Sequence, residues 1–309
     1  MALSLTELQA ITDDYVEKQA TDIYTKSNVL LHKLLSKGKT IPGGQMIRVV
    51  LEYAHTAGGN YGAATELSTT KTNIYNAARF PWSAYYANIV IDLDDQQQNS
   101  GVAAIVNMVD GKMKNAQKKI RTDMGGDVYG ARTENKMNGL ADLFNTTTST
   151  AYGTIQEDDM APWAAKKITT VEAISFAVMQ KIRRTASIDD NMEGKPDLYL
   201  ATEALKDAFE ASLTQNARFT NSKLAAAGFD NILFGGQPVV SDNKLSAGIV
   251  SLNTRFLDML THEDFNFTKP VWASEVNMPD KKVAFIRWSG NLVCKNRAAH
   301  CQHTGVTAE

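Results

Sequence analysis

Cysteine is nearly absent from this chain of 309 residues, which carries 2, Cys294 and Cys301. That is too few for a disulfide framework and excludes a small secreted scaffold. No apolar run approaches the roughly eighteen residues that a membrane span needs. Residues 1–18 include early acidic side chains, lack a basic opening and never build an apolar core, so they carry no secretory signal. The chain reads as cytosolic in origin. Neither sign of charge dominates, the formal net charge being -2 and the pI ≈ 6.2, whereas dedicated nucleic-acid binders carry a basic surplus to neutralise phosphates. Enzyme signatures are missing too: there is no G-x-G-x-x-G after a strand, no G-x-x-x-x-G-K-[ST], no G-x-S-x-G and no H-E-x-x-H. What remains is 43% hydrophobic residues in a length able to bury a substantial core.

The most informative stretch is residues 45–124. Ile47, Val49, Leu51 and Tyr53 alternate with Arg48, Val50 and Glu52, the period of a strand with one apolar face. A glycine-rich tip follows at residues 57–62, then more than twenty residues rich in Thr, Ser, Asn and Ala, then a second alternating run at Tyr85, Ala87, Ile89, Ile91 and Leu93. The two runs are expected to pair as a long ribbon. An isolated ribbon is marginal in water, so this one is expected to find partners outside its own subunit. A helix is expected next, capped by Asn99 or Ser100 and stopped by Gly125-Gly126. Its apolar stripe is Val102, Val106, Val109, Met113, Ala116 and Ile120, with Lys112, Lys114, Lys118, Lys119 and Arg121 around it and Gly111 marking a bend or a close approach.

Before the ribbon, Leu5, Leu8, Ile11, Tyr15 and Val16 recur at helical spacing, and residues 23–35 continue the pattern until Gly38. This is either an arm reaching over neighbours or a helix pair packed on its own subunit. After the long helix, residues 145–150 form a polar linker and residues 155–162 an acidic loop, placing a boundary nearby. Thr169 to Glu172 make a capping box for a helix burying Val171, Ile174, Val178 and Ile182. Strands are expected at residues 198–201, at 232–234 and 239–240 around Gly235-Gly236, and at 248–252. Thr202 caps a helix over residues 203–213, a short helix follows at 255–260, and a closing hairpin turns at Ser289-Gly290-Asn291. The class is α+β without internal repeats.

The extended arm over residues 43–94, followed directly by the helix over 101–124, resembles the major capsid proteins of tailed bacteriophages, whose fold is shared by bacterial encapsulin shells. Pro196 to Leu200 leading to a helix at Thr202, then the Phe234-Gly235-Gly236-Gln237-Pro238 turn, resemble the sheet of that family's axial domain. The resemblance implies an HK97-like capsid fold: an N-terminal arm (1–38), an extended E-loop hairpin (39–94), a peripheral domain with a long spine helix (95–145), an axial domain with a mixed central sheet (146–252), and a return through the peripheral domain (253–309). It further implies a structural subunit of an icosahedral head. Its main partner is then itself, in hexamers and pentamers, with a scaffolding protein and a portal, a decoration protein outside, and double-stranded DNA enclosed without sequence preference and without a membrane. Lacking the long charged N-terminal extension of some relatives, the chain is expected to use a separate scaffold or to have lost a leader. An encapsulin-like cargo shell, and a soluble α/β enzyme with an atypical site, are the alternatives.

Candidate intersubunit contacts are Ile47, Val49, Leu51, Tyr53, Tyr61, Lys71, Tyr85 and Ile89 on the arm. Some shells of this family cross-link an arm lysine to a neighbour's asparagine, but nothing identifies the required acid and asparagine here, and Lys71 reads as a solvated lysine. Cys294, His300, Cys301 and His303 offer soft ligands, yet their spacing misses the usual zinc clips and strand alternation would separate His300 from Cys301. They read as buried packing residues. Asp92, Asp94 and Asp95 lack the glycine and distal glutamate of a calcium loop and read as a solvated approach to the helix, with weak cation binding at an interface as the alternative. No catalytic residue, cofactor or metal is assigned.

Overall fold

The computed structural model describes residues 28–62, 66–92, 94–95, 102–147, 150–160, 163–188, 192–213, 231–275 and 278–308. The expected helix over residues 5–16, the start of the one over 23–35, the Asn99 or Ser100 cap and parts of the 145–150 and 155–162 loops lie outside them. Side chains of the helix before Asn107 lie outside too, so Val102 and Val106 are not placed.

Helix α1 (Val29–Ser36) is capped by Asn28, whose side chain accepts the Leu31 amide. After β1 (Lys39–Ile41), strand β2 (Ile47–Glu52) alternates between buried and exposed residues along its whole length. Its partner, however, is β3 (Tyr75–Phe80), not the run over residues 85–93. Pro81 follows β3 and turns the chain away, so that β4 (Ser83–Ile91) joins another sheet. There it pairs along its full length with β13 (Met278–Cys294), a single strand of 17 residues where a hairpin was expected.

Gly290 explains that difference. A Cβ on it would lie 2.4 Å from the Leu260 carbonyl and 2.6 Å from the Trp288 ring, so glycine serves a close approach in mid-strand instead of a turn. Beside it, buried Asn291 donates to the Pro81 and Asn138 oxygens at 2.7 and 2.8 Å. The other edge of β13 takes β12 (Ala273–Glu275) and then β11 (Leu257–His262), which also pairs in parallel with β1. The expected helix at 255–260 is therefore a strand. Buried on both faces, it lacks the alternation that identifies a strand.

Helix α2 (Val102–Asp127) runs about 39 Å at the usual rise per residue. Val109, Met113, Ala116, Ile120 and Met124 are buried against Ala87, Ile89 and Ile91 of β4 in the main core cluster. Gly125-Gly126 does not stop it. Gly125 instead lets Asn28 close in, the Asn28 amide donating to the Gly125 carbonyl at 2.9 Å. Gly111 marks no close approach, because an added Cβ meets nothing within 4 Å. Gly111→Ala is accordingly expected to stabilise the fold by about 0.5–1 kcal/mol, read as a higher urea midpoint.

The second layer is a six-stranded mixed sheet in the order β5 (Lys167–Ile168), β14 (Cys301–His303), β10 (Ile249–Leu252), β7 (Leu198–Ala201), β9 (Gln237–Ser241), β8 (Asn231–Phe234). One face packs on α4 (Phe176–Ala186) and α5 (Glu203–Ser212) through Tyr199, Val239 and Ile249. The other face, with Leu198, Leu200, Val240 and Val250, belongs to the main core. A four-residue helix α3 (Leu140–Leu143) follows α2. Glu172 is not in a helix: β6 (Glu172–Ala173) pairs with β15 (Val306–Thr307), Val171 is 76% exposed, and α4 starts after Ser175, whose hydroxyl accepts the Val178 amide.

Candidate assembly surface

The root of the ribbon is built from its own subunit. Ile47, Val49, Leu51, Ala78 and Phe80 form a buried face. The loop after α3 covers it: Phe80 meets Tyr152 with ring centroids 5.3 Å apart, and the Arg79 amide donates to the Gly153 carbonyl at 2.8 Å. Gly153 has φ 62, and a Cβ on it would lie 2.9 Å from the Phe80 ring. This loop is held in turn by Arg297, which is 1% exposed and lies over the Tyr152 ring at 5.0 Å. Its guanidinium donates to the Leu143, Asn145 and Trp163 carbonyls and pairs with Glu157 at 2.9 Å. Sequence reasoning missed Arg297, because nothing in Lys295-Asn296-Arg297 signals burial.

These packings correct the list of contact candidates. Ile47, Val49, Leu51 and Ile89 are buried inside their own subunit and unavailable to a neighbour. Tyr53 and Tyr85 are half-buried, and the Tyr85 hydroxyl donates to Asp127 at 2.9 Å. Tyr61 and Lys71 are exposed, on a tip where residues 55–62 and 66–73 are all exposed and adopt no regular structure. On the β2–β3 ribbon and its tip, Val50, Tyr61, Leu67 and Tyr75 are exposed by 72%, 74%, 69% and 61%, and elsewhere on the arm Met46 and Tyr86 are exposed too. Isolated apolar side chains at a surface are ordinary, and the first four share one ribbon and its tip.

The basic side of α2 is paired. Lys112 meets Asp95, Lys114 meets Asp110 at 2.7 Å, and Lys119 meets Asp123 at 2.7 Å. Asp95 is thus an ion-pair partner, and the neighbouring lysine holds its carboxyl below the usual range.

Cys294, His300, Cys301 and His303 are each fully buried. No three His, Cys, Asp or Glu side chains converge as a metal requires among the described residues. Burial pushes both thiols up to about 12, which keeps them protonated at neutral pH and unreactive. His300 accepts the Asn253 amide on Nδ1 at 3.1 Å, so the neutral ring carries its proton on Nε2. Burial lowers its pKa to about 3, against the pull of Asp197. An unfolded chain binds this proton from about pH 6.5 downward and the native chain only near 3, so stability is full above 6.5 and falls as pH drops through that window. Urea midpoints measured between pH 7 and 4 are expected to decline, and His300→Asn is expected to flatten the decline.

His262 packs between Trp82 and Phe265, at centroid distances of 5.2 and 5.1 Å. Neither it nor the cysteine–histidine group lines the grooves found beside Tyr86 and Phe285, at the ribbon root, or along β4.

Against known structures, the arrangement matches the cyanophage A-1(L) capsid asymmetric unit at TM-score 0.71, with 14% identity over 94% of this chain and 96% of that one. The chain has the HK97-like capsid fold. The capsid of the native GTA particle gives 0.63, with 13% identity over 92% of this chain and 91% of that one. The holo-SrpI encapsulin complex from Synechococcus elongatus gives 0.59, with 12% identity over 100% and 97%. No protein-family model matches the chain, and no curated protein matches its sequence.

Proposed function

We propose that this protein is the shell-forming subunit of a tailed-phage head, working through repeated contacts between copies and without catalysis. The observation that carries the reading is correspondence over nearly the full length of both chains with a phage capsid structure, combined with an arm whose described tip residues, 55–62 and 66–73, are exposed. The working parts are the arm over residues 39–94, the spine over 95–145, the axial part over 146–252 and the return over 253–309. Copies meet in hexamers and pentamers, the arms overlap neighbours, and buried area accumulates over many weak contacts. A scaffolding protein, a portal and a decoration protein are the further partners this role calls for, with assembly in the host cytoplasm. The paired charges on the spine helix suit a wall that encloses DNA without gripping it.

A cargo shell is the second reading, favoured by the encapsulin match across the whole chain. Electron microscopy of the purified protein tests both. Closed shells of uniform diameter are expected; a small oligomer at every concentration and salt overturns them. Shells that package a co-expressed protein through a peptide tag, with no tailed particle, support the second.

A further inference from the structure

His303 is 0% exposed, and neither of its ring nitrogens has a hydrogen-bond partner among the described residues. A buried N–H left unpaired is destabilising and calls for a reason. The ladder partners of His303 are Ile249 of β10 and Ile168 of β5, both packed in the core cluster under α4, so the ring lies on the α4 face of the six-stranded sheet. A strap over residues 169–175 hems it in. The strap starts just after Ile168, pairs through β6 with β15, three residues beyond His303, and leads into α4.

The strap is lightly held. Its ladder with β15 is two residues long and separate from the six-stranded sheet. The Glu172 amide donates to the Gly305 carbonyl at 3.1 Å and the Ile174 amide to the Thr307 carbonyl at 2.9 Å. Ile174 and Val306 anchor it in the core, whereas Val171, Ala173 and Thr307 are exposed. A side-chain ion pair between Glu172 and Lys181 ties it to α4.

The charged groups acting on the ring are those same two, Glu172 of β6 and Lys181 of α4. Lys167 of β5 pairs with Gln302 and so takes the opposite face, Arg183 of α4 lies against Gly235, and Arg184 is exposed. From β10 comes Ile249, and from β15 Val306 and Thr307. A proton taken up under the closed strap therefore meets an ammonium and a carboxylate already engaged, and burial holds the ring's pKa down. With the strap open, the ring meets water and titrates near 6.5.

We propose that residues 169–175 and β15 form an acid-released strap, set loose when His303 takes a proton. The closed form is fully stable above about pH 6.5 and loses stability as the pH falls below it. Helix α4 stays in place, since Val178, Met179 and Ile182 keep their own positions in the core. The subunit thus changes this surface with pH without unfolding, and the inference does not rest on the shell reading.

At pH 5 an exposed imidazole is about thirtyfold more protonated than neutral, so the open population rises by up to about twentyfold between pH 7 and 5. Hydrogen exchange of the Glu172 and Ile174 amides, corrected for the intrinsic effect of pH, reads this directly. Their protection is expected to lie at least tenfold below that of the β4–β13 ladder at every pH, the sign of local opening, and to fall about tenfold or more from pH 7 to 5. His303→Leu is expected to abolish the fall, and His300→Asn, on the other face of β14, to leave it intact. Strap protection that does not change with pH, that equals the ladder's throughout, or that still falls in His303→Leu overturns the proposal. If His303→Leu fails to fold, His300→Asn decides: a fall that persists there upholds the strap, and one that vanishes overturns it.

Discussion

Deleting residues 56–72 is expected to leave a soluble, folded monomer that forms no shells at any concentration where the parent assembles. The described residues of that span are exposed and none belongs to a core cluster, so folding loses almost nothing. The flanks already meet, the Tyr53 amide donating to the Ile74 carbonyl at 3.0 Å, and a shorter connection costs less closure entropy. Circular dichroism and thermal melts of the variant should overlay the parent's within a few degrees, while sedimentation shows only monomer. Normal shells from this variant would show that the arm is not the assembling element.

Arg297→Met is expected to cost about 3–5 kcal/mol, as does breaking a buried ion pair from one side. It strands the Glu157 carboxylate, which among the described residues keeps the Ala165 amide alone, and it orphans the Leu143 and Asn145 carbonyls. Typical domains have only about 5–15 kcal/mol in hand, so the variant should be mostly insoluble at 37 °C. Combining it with Glu157→Leu removes the stranded charge and should recover part of the loss, giving a coupling well above 1 kcal/mol in urea titrations. Additive losses would mean that the two side chains act independently.

The parts legible in the sequence are those with one buried face. Ile47, Val49 and Leu51 alternate, and Val109, Met113, Ala116 and Ile120 recur at helical spacing, because solvent selects polar residues at the positions between. Where an element is enclosed on every side, that contrast vanishes, and the strand Leu257–His262 was hidden under a helix expected at residues 255–260. Gly290 and Gly125 misled in another way: each accommodates a neighbour's atoms, a demand that local sequence does not record. On the arm, alternation found the strands but could not tell a subunit's own interior from a surface open to a neighbour. That is why Ile47, Val49, Leu51 and Ile89 proved internal while Val50, Leu67 and Tyr75, on the polar-looking side or in the irregular tip, are the ones left open.

The main core cluster runs without a break from α2, through the β4–β13 sheet, to the inner face of the six-stranded sheet, and Tyr129 just after α2 is bonded to Asp242 beyond that sheet at 2.7 Å. A tile stiffened in this way cannot fold along a crease of its own. In the proposed shell, a wall of identical copies would then change curvature at its seams, and the arm, clamped at its root by Arg297 and without regular structure at its tip, would be the gasket that takes up the difference.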